Sequence, residues 1–392
     1  MDADTPPSVS TAVLPEVPLD DLPANSRVEI RIFTVAKRAL PHLRALVVSL
    51  LASSLLPVRR RRARPGSPRP VGAPGRRGAR RPWLPLLHDQ PHGALLHAPR
   101  PRAGRDNHLR VPIRDLPDPV RLPGCVPLRG ADMLDPIQDR ADPAYRLMVE
   151  FGNKHRLADG FIELSDKGVY PPAYAVGPFV RPCSGGGKGD AAAATHGCLR
   201  WLYEQPDTSV LYVCLGSGGT LSAEQTAELD AGLEASRQRF LWVVRFPSDR
   251  DRSASYFGPA GQGDDDPLSY LPEGFVERVR GVGLCVPHWA PQAVAAGVPT
   301  LAWPLYAEQR MNAVMLSERA GMALRPGRTE GGVVVLREEV AAVVRELIAG
   351  EKGAAARENA RVLRAAAAKA WAPEDGPSRM AFEAVLGKWT RL

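Results

Sequence analysis

The chain has 392 residues, of which 44% are hydrophobic, and a formal net charge of +8. This length exceeds what one hydrophobic core usually organises, so we expect two domains, and the apolar content excludes a disordered or fibrous chain. Five cysteines without a C-x-x-C pair argue against a disulfide framework and a zinc site, and they are typical of a reducing compartment. We therefore expect a cytoplasmic protein.

The beginning of the chain carries no targeting pattern. Residues 1–11 are acidic and lack the basic and apolar regions of a secretory signal. The apolar stretch at 45–58 is shorter than the roughly 20 residues that a membrane-spanning helix requires, so we expect no membrane anchor. Within residues 9–50, which resemble ordinary folded sequence, apolar side chains predict a helix around Leu40, Leu43 and Val47.

The positive charge is concentrated in one segment. Residues 57–105 contain 13 Arg, no Lys and Asp89 as the only acid, so this segment carries +12 and the remaining chain −4. Its ten prolines and lack of periodicity predict neither strand nor helix. Two interpretations are open: a disordered basic arm that contacts polyanions, or an out-of-frame translation of a GC-rich gene. Sequencing the transcript across codons 50–110 separates them.

The next stretch predicts a domain boundary. Residues 109–180 again resemble folded sequence and end in a strand-like run at 173–180, after which Gly and Ala dominate. We interpret 181–195 as a linker between the remnant of an N-terminal domain at 1–180 and a C-terminal domain at 196–392.

Beyond the linker, strand and helix patterns alternate as in a parallel sheet covered by helices. Strands are predicted at 209–215, 240–244, 283–286 and 298–303. The first leads through Gly216–Thr220 into a helix whose Ser222 and Gln225 predict a capping box. A late helix ends at Gly350 and has one apolar face, formed by Val340, Val343, Val344, Leu347 and Ile348.

The Gly-rich turn at Gly216–Thr220 has two possible interpretations. Its backbone amides and the positive end of the following helix suit a phosphate group. However, any turn from strand to helix favours glycine, and G-S-G-G-T matches neither a Walker nor a dinucleotide fingerprint. The turn alone does not decide between them.

The most specific motifs lie close together. The run H-W-A-P-Q at 288–292 leads into A-V-A-A-G-V-P at 293–299 and then W-P-L-Y-A-E-Q at 303–309. In this order they resemble the signature box of plant UDP-glycosyltransferases. The resemblance extends over most of 196–350, and the runs at 216–220 and 311–315 are most similar to the branch that glucosylates phenols such as hydroquinone.

The resemblance implies a GT-B fold with two Rossmann-like domains, an N-terminal one for the acceptor and a C-terminal one for the UDP-sugar. It implies an enzyme that transfers glucose from UDP-glucose, as co-substrate, to a small phenolic hydroxyl by inverting displacement. No metal or other cofactor is expected, and nucleic acid is not an expected partner, because the Arg-rich segment has Trp83 as its one interleaved aromatic residue. We expect a monomer.

The resemblance also assigns donor contacts to six residues. Buried polar partners of this kind discriminate strongly between ligands, although the two that face the sugar could instead be a solvated polar pair after a strand. By position, Trp289 would stack on uracil, Ala290 and Gln292 would bond the base and ribose, Ser217 would reach the diphosphate, and Glu308 and Gln309 would bond the sugar hydroxyls.

The sequence departs from the family inside its signature box. Between Gln292 and Ala293 the family has a stretch that contains H-C-G-W-N-S and a ribose-binding glutamate, and this chain lacks it. In the family that histidine and the neighbouring Asn and Ser hold the diphosphate, and each such contact is worth about 1.5–3 kcal/mol. We expect weakened donor binding and, because a strand-turn-helix unit is missing from a packed layer, local misfolding.

The family's catalytic base cannot be assigned either. It is a histidine in a G-H loop that would precede the first residue of this chain, and its partner aspartate would fall within 57–105. We therefore assign no catalytic residue and expect impaired or absent transfer. The alternatives are a non-catalytic protein or degenerate gene product and, third, a polyanion-binding protein. None of the nearby histidines fits the role of base: His42, His88, His92, His97 and His108.

Overall fold

The computed structural model describes only part of the chain, and its residues fall into two compact units, 1–80 and 81–392, which are treated separately. The Arg-rich segment at 57–105 and the linker at 181–195 lie outside the described residues, so the domain boundary stays a prediction. The described residues are 12–23, 26–52, 111–122, 125–155, 174, 176–177, 197–216, 218–249, 266–287, 297–327 and 334–390.

The first unit contains one long helix, α1 (Val28–Ala52), which confirms the helix predicted there. The Arg38 guanidinium donates to the Asp21 carboxylate, with 2.9 Å between Nη1 and Oδ1, and so holds the preceding turn against α1. Leu40 and Leu43 are exposed on this helix. Within the described ranges, no helix combines the length and apolar character needed to cross a bilayer.

In the second unit, residues 111–155 form a small layer of short helices. Two 3-10 turns, Ile113–Asp115 and Gly130–Asp132, touch so closely that a Cβ on Gly130 would lie 1.9 Å from the carbonyl oxygen of Ile113. An antiparallel bridge joins Val120 to Leu128, which is fully buried. The helices that follow are α2 (Asp135–Gln138) and α3 (Pro143–His155).

The strands of the α/β part pair in parallel, as predicted. β2 lies in the middle of a three-stranded sheet, and Trp242 of β2 stands opposite both Val213 and Cys285. Alternating strands and helices produce this arrangement because parallel neighbours need a crossover between them. The strands are β1 (Val210–Val213), β2 (Arg239–Val244), β3 (Gly283–Pro287), β4 (Thr300–Leu301) and β5 (Ala323–Leu324).

The predicted late helix is confirmed. It buries Val340, Val344 and Leu347 and ends with Gly350 as its C-cap. The helices of this part are α4 (Gly197–Tyr203), α5 (Ala223–Ser236), α6 (Phe275–Arg278), α7 (Gln309–Val314) with a π-helical turn at Met315–Arg319, α8 (Arg337–Ala349), α9 (Glu351–Ala370) and α10 (Pro377–Thr390).

Helices α5 and α8 pack against each other at a glycine. A Cβ on Gly232 of α5 would lie 2.5 Å from the Cβ of Val340 on α8, so only glycine permits this approach. Around this contact lies the main core, in which Phe275 stands edge-on to Trp242 at 6.4 Å between ring centroids. Leu305 also belongs to this core, which therefore joins the helices to the loop after β4.

The predicted capping box is half right. Ser222 is the N-cap of α5, and its side chain accepts a hydrogen bond from the Gln225 backbone N–H at 3.1 Å. The side chain of Gln225, however, bonds both backbone groups of Val335: its Nε2 donates to the carbonyl oxygen at 3.0 Å, and its Oε1 accepts from the N–H at 2.8 Å. These two buried hydrogen bonds of the Gln225 amide stabilise the fold more than a capping bond at the surface would.

The strands form two sheets rather than the single one that the alternating pattern predicted. Within the described ranges, β1 pairs with β2 alone and β4 pairs with β5 alone, although α8 contacts both β1 and β4. The strand predicted at 298–303 is reduced to Thr300–Leu301, since Pro299 and Pro304 have no N–H to donate to a ladder. Residues 288–296, where local misfolding was expected, lie outside the described residues.

Asp230 is a buried acid on the inner face of α5. It is 3% exposed, and within the described part of the chain its Oδ2 has no hydrogen-bond partner. Burial raises the pKa of its carboxyl to about 6, since the charged form loses its water. The folded state therefore holds a proton on Asp230 at pH values at which the unfolded state has released it.

We expect Asp230→Asn to stabilise the fold at pH 7 by up to about 3 kcal/mol, because each pKa unit corresponds to about 1.36 kcal/mol. The wild-type chain should gain stability as the pH falls from 7 through 6 towards 4, and the difference between the two proteins should close over that range. Urea unfolding at several pH values measures this. Asp207→Asn, at an exposed turn position, is the control that should remain within about 0.5 kcal/mol of wild type. A constant difference between pH 4 and pH 7 would contradict the assignment.

Candidate functional site

The turn after β1 is one wall of the candidate site. Gly216 has a φ of +79°, a conformation that glycine adopts at little cost. A Cβ on Gly219 would lie 2.3 Å from the carbonyl oxygen of Leu215 and 2.7 Å from Cδ1 of Leu305. The Gly-rich turn therefore lies directly against the loop that follows β4. Ser217, the predicted diphosphate contact, is outside the described residues.

The N-terminus of α5 is already occupied by protein groups. The Thr220 hydroxyl donates to the carbonyl oxygen of Phe246, which ties the turn to the chain after β2. The backbone N–H of Ala223 donates to Oδ1 of Asp249 at 2.9 Å, so a carboxylate lies where the helix dipole favours an anion. Sequence reasoning missed Asp249 because it follows a different strand. Its charge opposes a phosphate at this helix end.

The loop after β4, residues 303–309, is the second wall. Its turn is closed by the side chain of Gln309, whose Oε1 accepts from the backbone N–H of Leu305 at 2.8 Å. Ala307 has a φ of +55°, an uncommon conformation for a residue with a Cβ, which costs about 1–2 kcal/mol. This bend leads into Glu308, the N-cap of α7, whose carboxylate makes no capping bond to the helix.

The two polar side chains of this loop offer complementary hydrogen-bonding groups. Glu308 and Gln309 are both half-buried. Because the Oε1 of Gln309 is held by Leu305, its amide nitrogen remains as the donating end, while a carboxylate such as that of Glu308 only accepts. A donor beside an acceptor matches neighbouring hydroxyl groups, each of which can both donate and accept.

The structure therefore brings together two of the predicted donor-site elements. The Gly216–Thr220 turn and the 303–309 loop meet at the carboxyl ends of β1 and β4, where open α/β sheets bind ligands. Trp289, Ala290 and Gln292 lie outside the described residues, so their roles remain predictions. Among the described residues no cluster of three or more His, Cys, Asp or Glu side chains could hold a metal ion.

Known enzymes are similar to this chain over nearly its whole length. It is 37% identical to hydroquinone glucosyltransferase of Rauvolfia serpentina over 427 positions, which cover 98% of this chain and 86% of the relative. These positions outnumber the 392 residues of the chain, so the relative carries residues that lie opposite gaps in it. No protein-family model matches the chain.

Solved structures of plant glucosyltransferases have the same fold. A UDP-glucosyltransferase from Polygonum tinctorium that glucosylates indoxyl has a TM-score of 0.77 at 33% identity, covering 99% of this chain and 88% of its own. UGT2 of Phytolacca americana, complexed with UDP-2fluoro-glucose and pterostilbene, has a TM-score of 0.60 at 38% identity, covering 72% and 66%. These likenesses confirm the predicted GT-B α/β fold class.

Gly219→Ala tests the contact between the two walls. We expect it to destabilise the chain by about 1–3 kcal/mol, because the added methyl group overlaps a backbone oxygen and Leu305. Gly197→Ala, whose Cβ would meet nothing within 4 Å, is the matched control and should change stability by less than about 0.5 kcal/mol. Urea unfolding at pH 7 measures both. Equal stability of the two variants would show that the walls do not touch.

Proposed function

This chain belongs to the plant UDP-glycosyltransferases, and we propose that it is an impaired member that recognises the sugar of UDP-glucose but transfers it slowly or not at all. The members of the family are transferases that use a UDP-sugar as co-substrate. The acceptor class proposed for this chain is a phenolic hydroxyl, on the strength of the relative named for hydroquinone. Sugar recognition and transfer are considered in turn below.

One observation carries the proposed sugar recognition: the hydrogen bond from Leu305 N–H to Gln309 Oε1. It leaves the amide nitrogen of Gln309 as the donating end, next in sequence to the Glu308 carboxylate, whose oxygens can only accept. Sugar hydroxyls that are bound by such a pair are discriminated strongly, because an unmatched buried polar group is costly. The half-buried position of both side chains supports a binding role over that of a solvated surface pair.

Binding of the diphosphate is the weakened part. Asp249 places a carboxylate at the N-terminus of α5, where a phosphate would be favoured. The lack of the H-C-G-W-N-S stretch removes three further contacts, and the separation of β1 from β4 supports the loss of a strand between them. We propose that UDP-glucose binds only at millimolar concentrations.

No catalytic base is assigned to this chain, so the proposed impairment rests on the diphosphate contacts. Of the histidines rejected as base, His42 is the one in the described ranges, and it lies exposed on α1. The proposed compartment is the cytosol, because the cysteines of the described ranges form no disulfide: Cys125, Cys198, Cys214 and Cys285.

A non-catalytic binding protein is the second candidate function. The placement of β1 and β4 in different sheets favours this function. A chain divided in this way can keep a stable core and part of a ligand site without the groups that do chemistry. It predicts that UDP raises the melting temperature although no glucose is transferred. An impaired enzyme predicts the same thermal shift together with slow turnover, so the rate of transfer separates the two.

Two substitutions of Gln309 separate its role in the loop from its role towards the sugar. Gln309→Glu keeps an oxygen that can accept from Leu305 N–H but removes the amide donor, whereas Gln309→Ala removes both. We expect Gln309→Glu to weaken UDP-glucose about tenfold while leaving UDP within about twofold and stability near that of wild type. Ligand-observed NMR titration at millimolar concentration measures both ligands. Unchanged affinity of Gln309→Glu for UDP-glucose would show that the Gln309 amide does not bind the sugar.

Turnover is tested with the full chain, UDP-glucose and hydroquinone, with the Rauvolfia serpentina enzyme assayed in parallel. We expect the rate to be at least about a hundredfold lower than that of the intact relative, because the diphosphate contacts of the H-C-G-W-N-S stretch are missing. The released glucoside is measured by liquid chromatography. A rate equal to that of the relative would overturn the proposed impairment.

A further inference from the structure

Asp135, in the N-terminal part of the second unit, contacts the chain on both sides of the predicted sugar contacts. The backbone N–H of Asp135 donates to the carbonyl oxygen of Ala307 at 2.9 Å. Its carboxylate Oδ1 accepts from Nε of Arg310 at 2.8 Å. Ala307 directly precedes Glu308 and Gln309, and Arg310 directly follows them. The pair is therefore bracketed by two bonds to the same residue.

The ion pair is sheltered from solvent. The Arg310 and Asp135 side chains are 22% and 16% exposed, well below the exposed pairs elsewhere in the chain, such as Arg361 with Glu358 at 70% and 58%. A charge pair in such a site is screened less by water and salt than a surface pair. It therefore holds its geometry more firmly than an ordinary surface contact.

A second ion pair runs beside the first. Nη2 of Arg325 donates to Oδ1 of Asp132 at 2.7 Å, and these side chains are 25% and 13% exposed. Arg325 follows β5, the partner strand of β4, so this bond holds the base of the same loop. Both acids lie on one short segment, 129–138, which we name the clasp.

The clasp is itself a rigid support. Gly130 packs against the backbone of Ile113, and Met133 and Leu134 are buried. The side chain of Gln138 donates to the carbonyl oxygen of Met133 at 2.8 Å, which closes the segment on itself. A segment braced in this way can impose its geometry on the loop that it contacts.

The contact also matches the position of the bend in the loop. Ala307 adopts its positive φ without the help of a glycine, and its carbonyl oxygen is the group that Asp135 N–H holds. Conformations of this kind persist where the surroundings determine them. The clasp therefore fixes the backbone conformation of Ala307, the residue directly before Glu308.

We propose that Asp135 and Arg310 are positioning residues that orient Glu308 and Gln309 towards the sugar of the nucleotide donor. The inference rests on the proposed function and extends it, since it makes recognition of the sugar depend on a segment far from the donor motifs in sequence. The resemblance assigns the uracil to Trp289, on a different segment. Loss of the clasp should therefore lower the affinity for UDP-glucose without lowering that for UDP.

The test uses the full chain and two ligands, UDP and UDP-glucose, titrated by ligand-observed NMR. Arg310→Ala is expected to weaken UDP-glucose about three- to tenfold and to leave UDP within about twofold. Arg310→Lys keeps a charge within reach of Asp135 and should recover most of the lost affinity for UDP-glucose. The double variant Asp135→Arg with Arg310→Asp exchanges the two charges and should do the same. Arg361→Ala, which removes the exposed pair on α9, is the matched control and should change neither affinity.

Three results would overturn the inference. Equal weakening of UDP and UDP-glucose in Arg310→Ala would make the ion pair a general support of the fold, which melting temperatures would confirm. Unchanged affinity for both ligands would show that the clasp does not act on the sugar pair. If the wild-type chain binds neither ligand, or binds both equally, the proposed sugar recognition itself fails and this inference fails with it.

Discussion

The close contact between α5 and α8 is the constraint on which the rest of the α/β part depends. Gly232 leaves room for Val340, and the buried side chain of Gln225 bonds both backbone groups of Val335 just before α8 begins. Helix α8 is thereby fixed over β1 and β4 together. Because one helix covers both sheets, the two share one core although no strand joins them in the described ranges.

This shared core explains how a partial ligand site can persist. Leu305 belongs to the core and also touches the Gly-rich turn at Gly219, so packing holds the two walls of the site together. Close packing of this kind transmits position over several residues. The same packing therefore holds the loop that carries Glu308 and Gln309.

Under the proposed function, recognition of the sugar and transfer of the sugar depend on separate groups. The proposed sugar contacts lie on the loop after β4, whereas the family's diphosphate contacts belong to the H-C-G-W-N-S stretch, which does not follow Gln292 in this sequence. The carboxylate of Asp249 at the N-terminus of α5 occupies a position that would otherwise favour an anion. Binding of a sugar and transfer of that sugar can therefore be lost independently, and an impaired transferase and a non-catalytic binder differ by few groups.

The sequence by itself determined the local elements and the family. Short apolar runs located β1, β2 and β3, the period of Val340, Val344 and Leu347 located α8, and the W-P-L-Y-A-E-Q run identified the loop after β4. These features depend on neighbouring residues, so a single sequence displays them.

Only the tertiary structure decided the contacts between distant residues. Gln225 meets Val335 across 110 residues, Arg310 meets Asp135 across 175, and Asp249 reaches α5 from the next crossover. It also shortened β4 and divided the sheet, which the strand pattern did not predict. The physical reason is that propensity and periodicity act within one element, whereas the partner of a buried polar side chain depends on how whole elements pack.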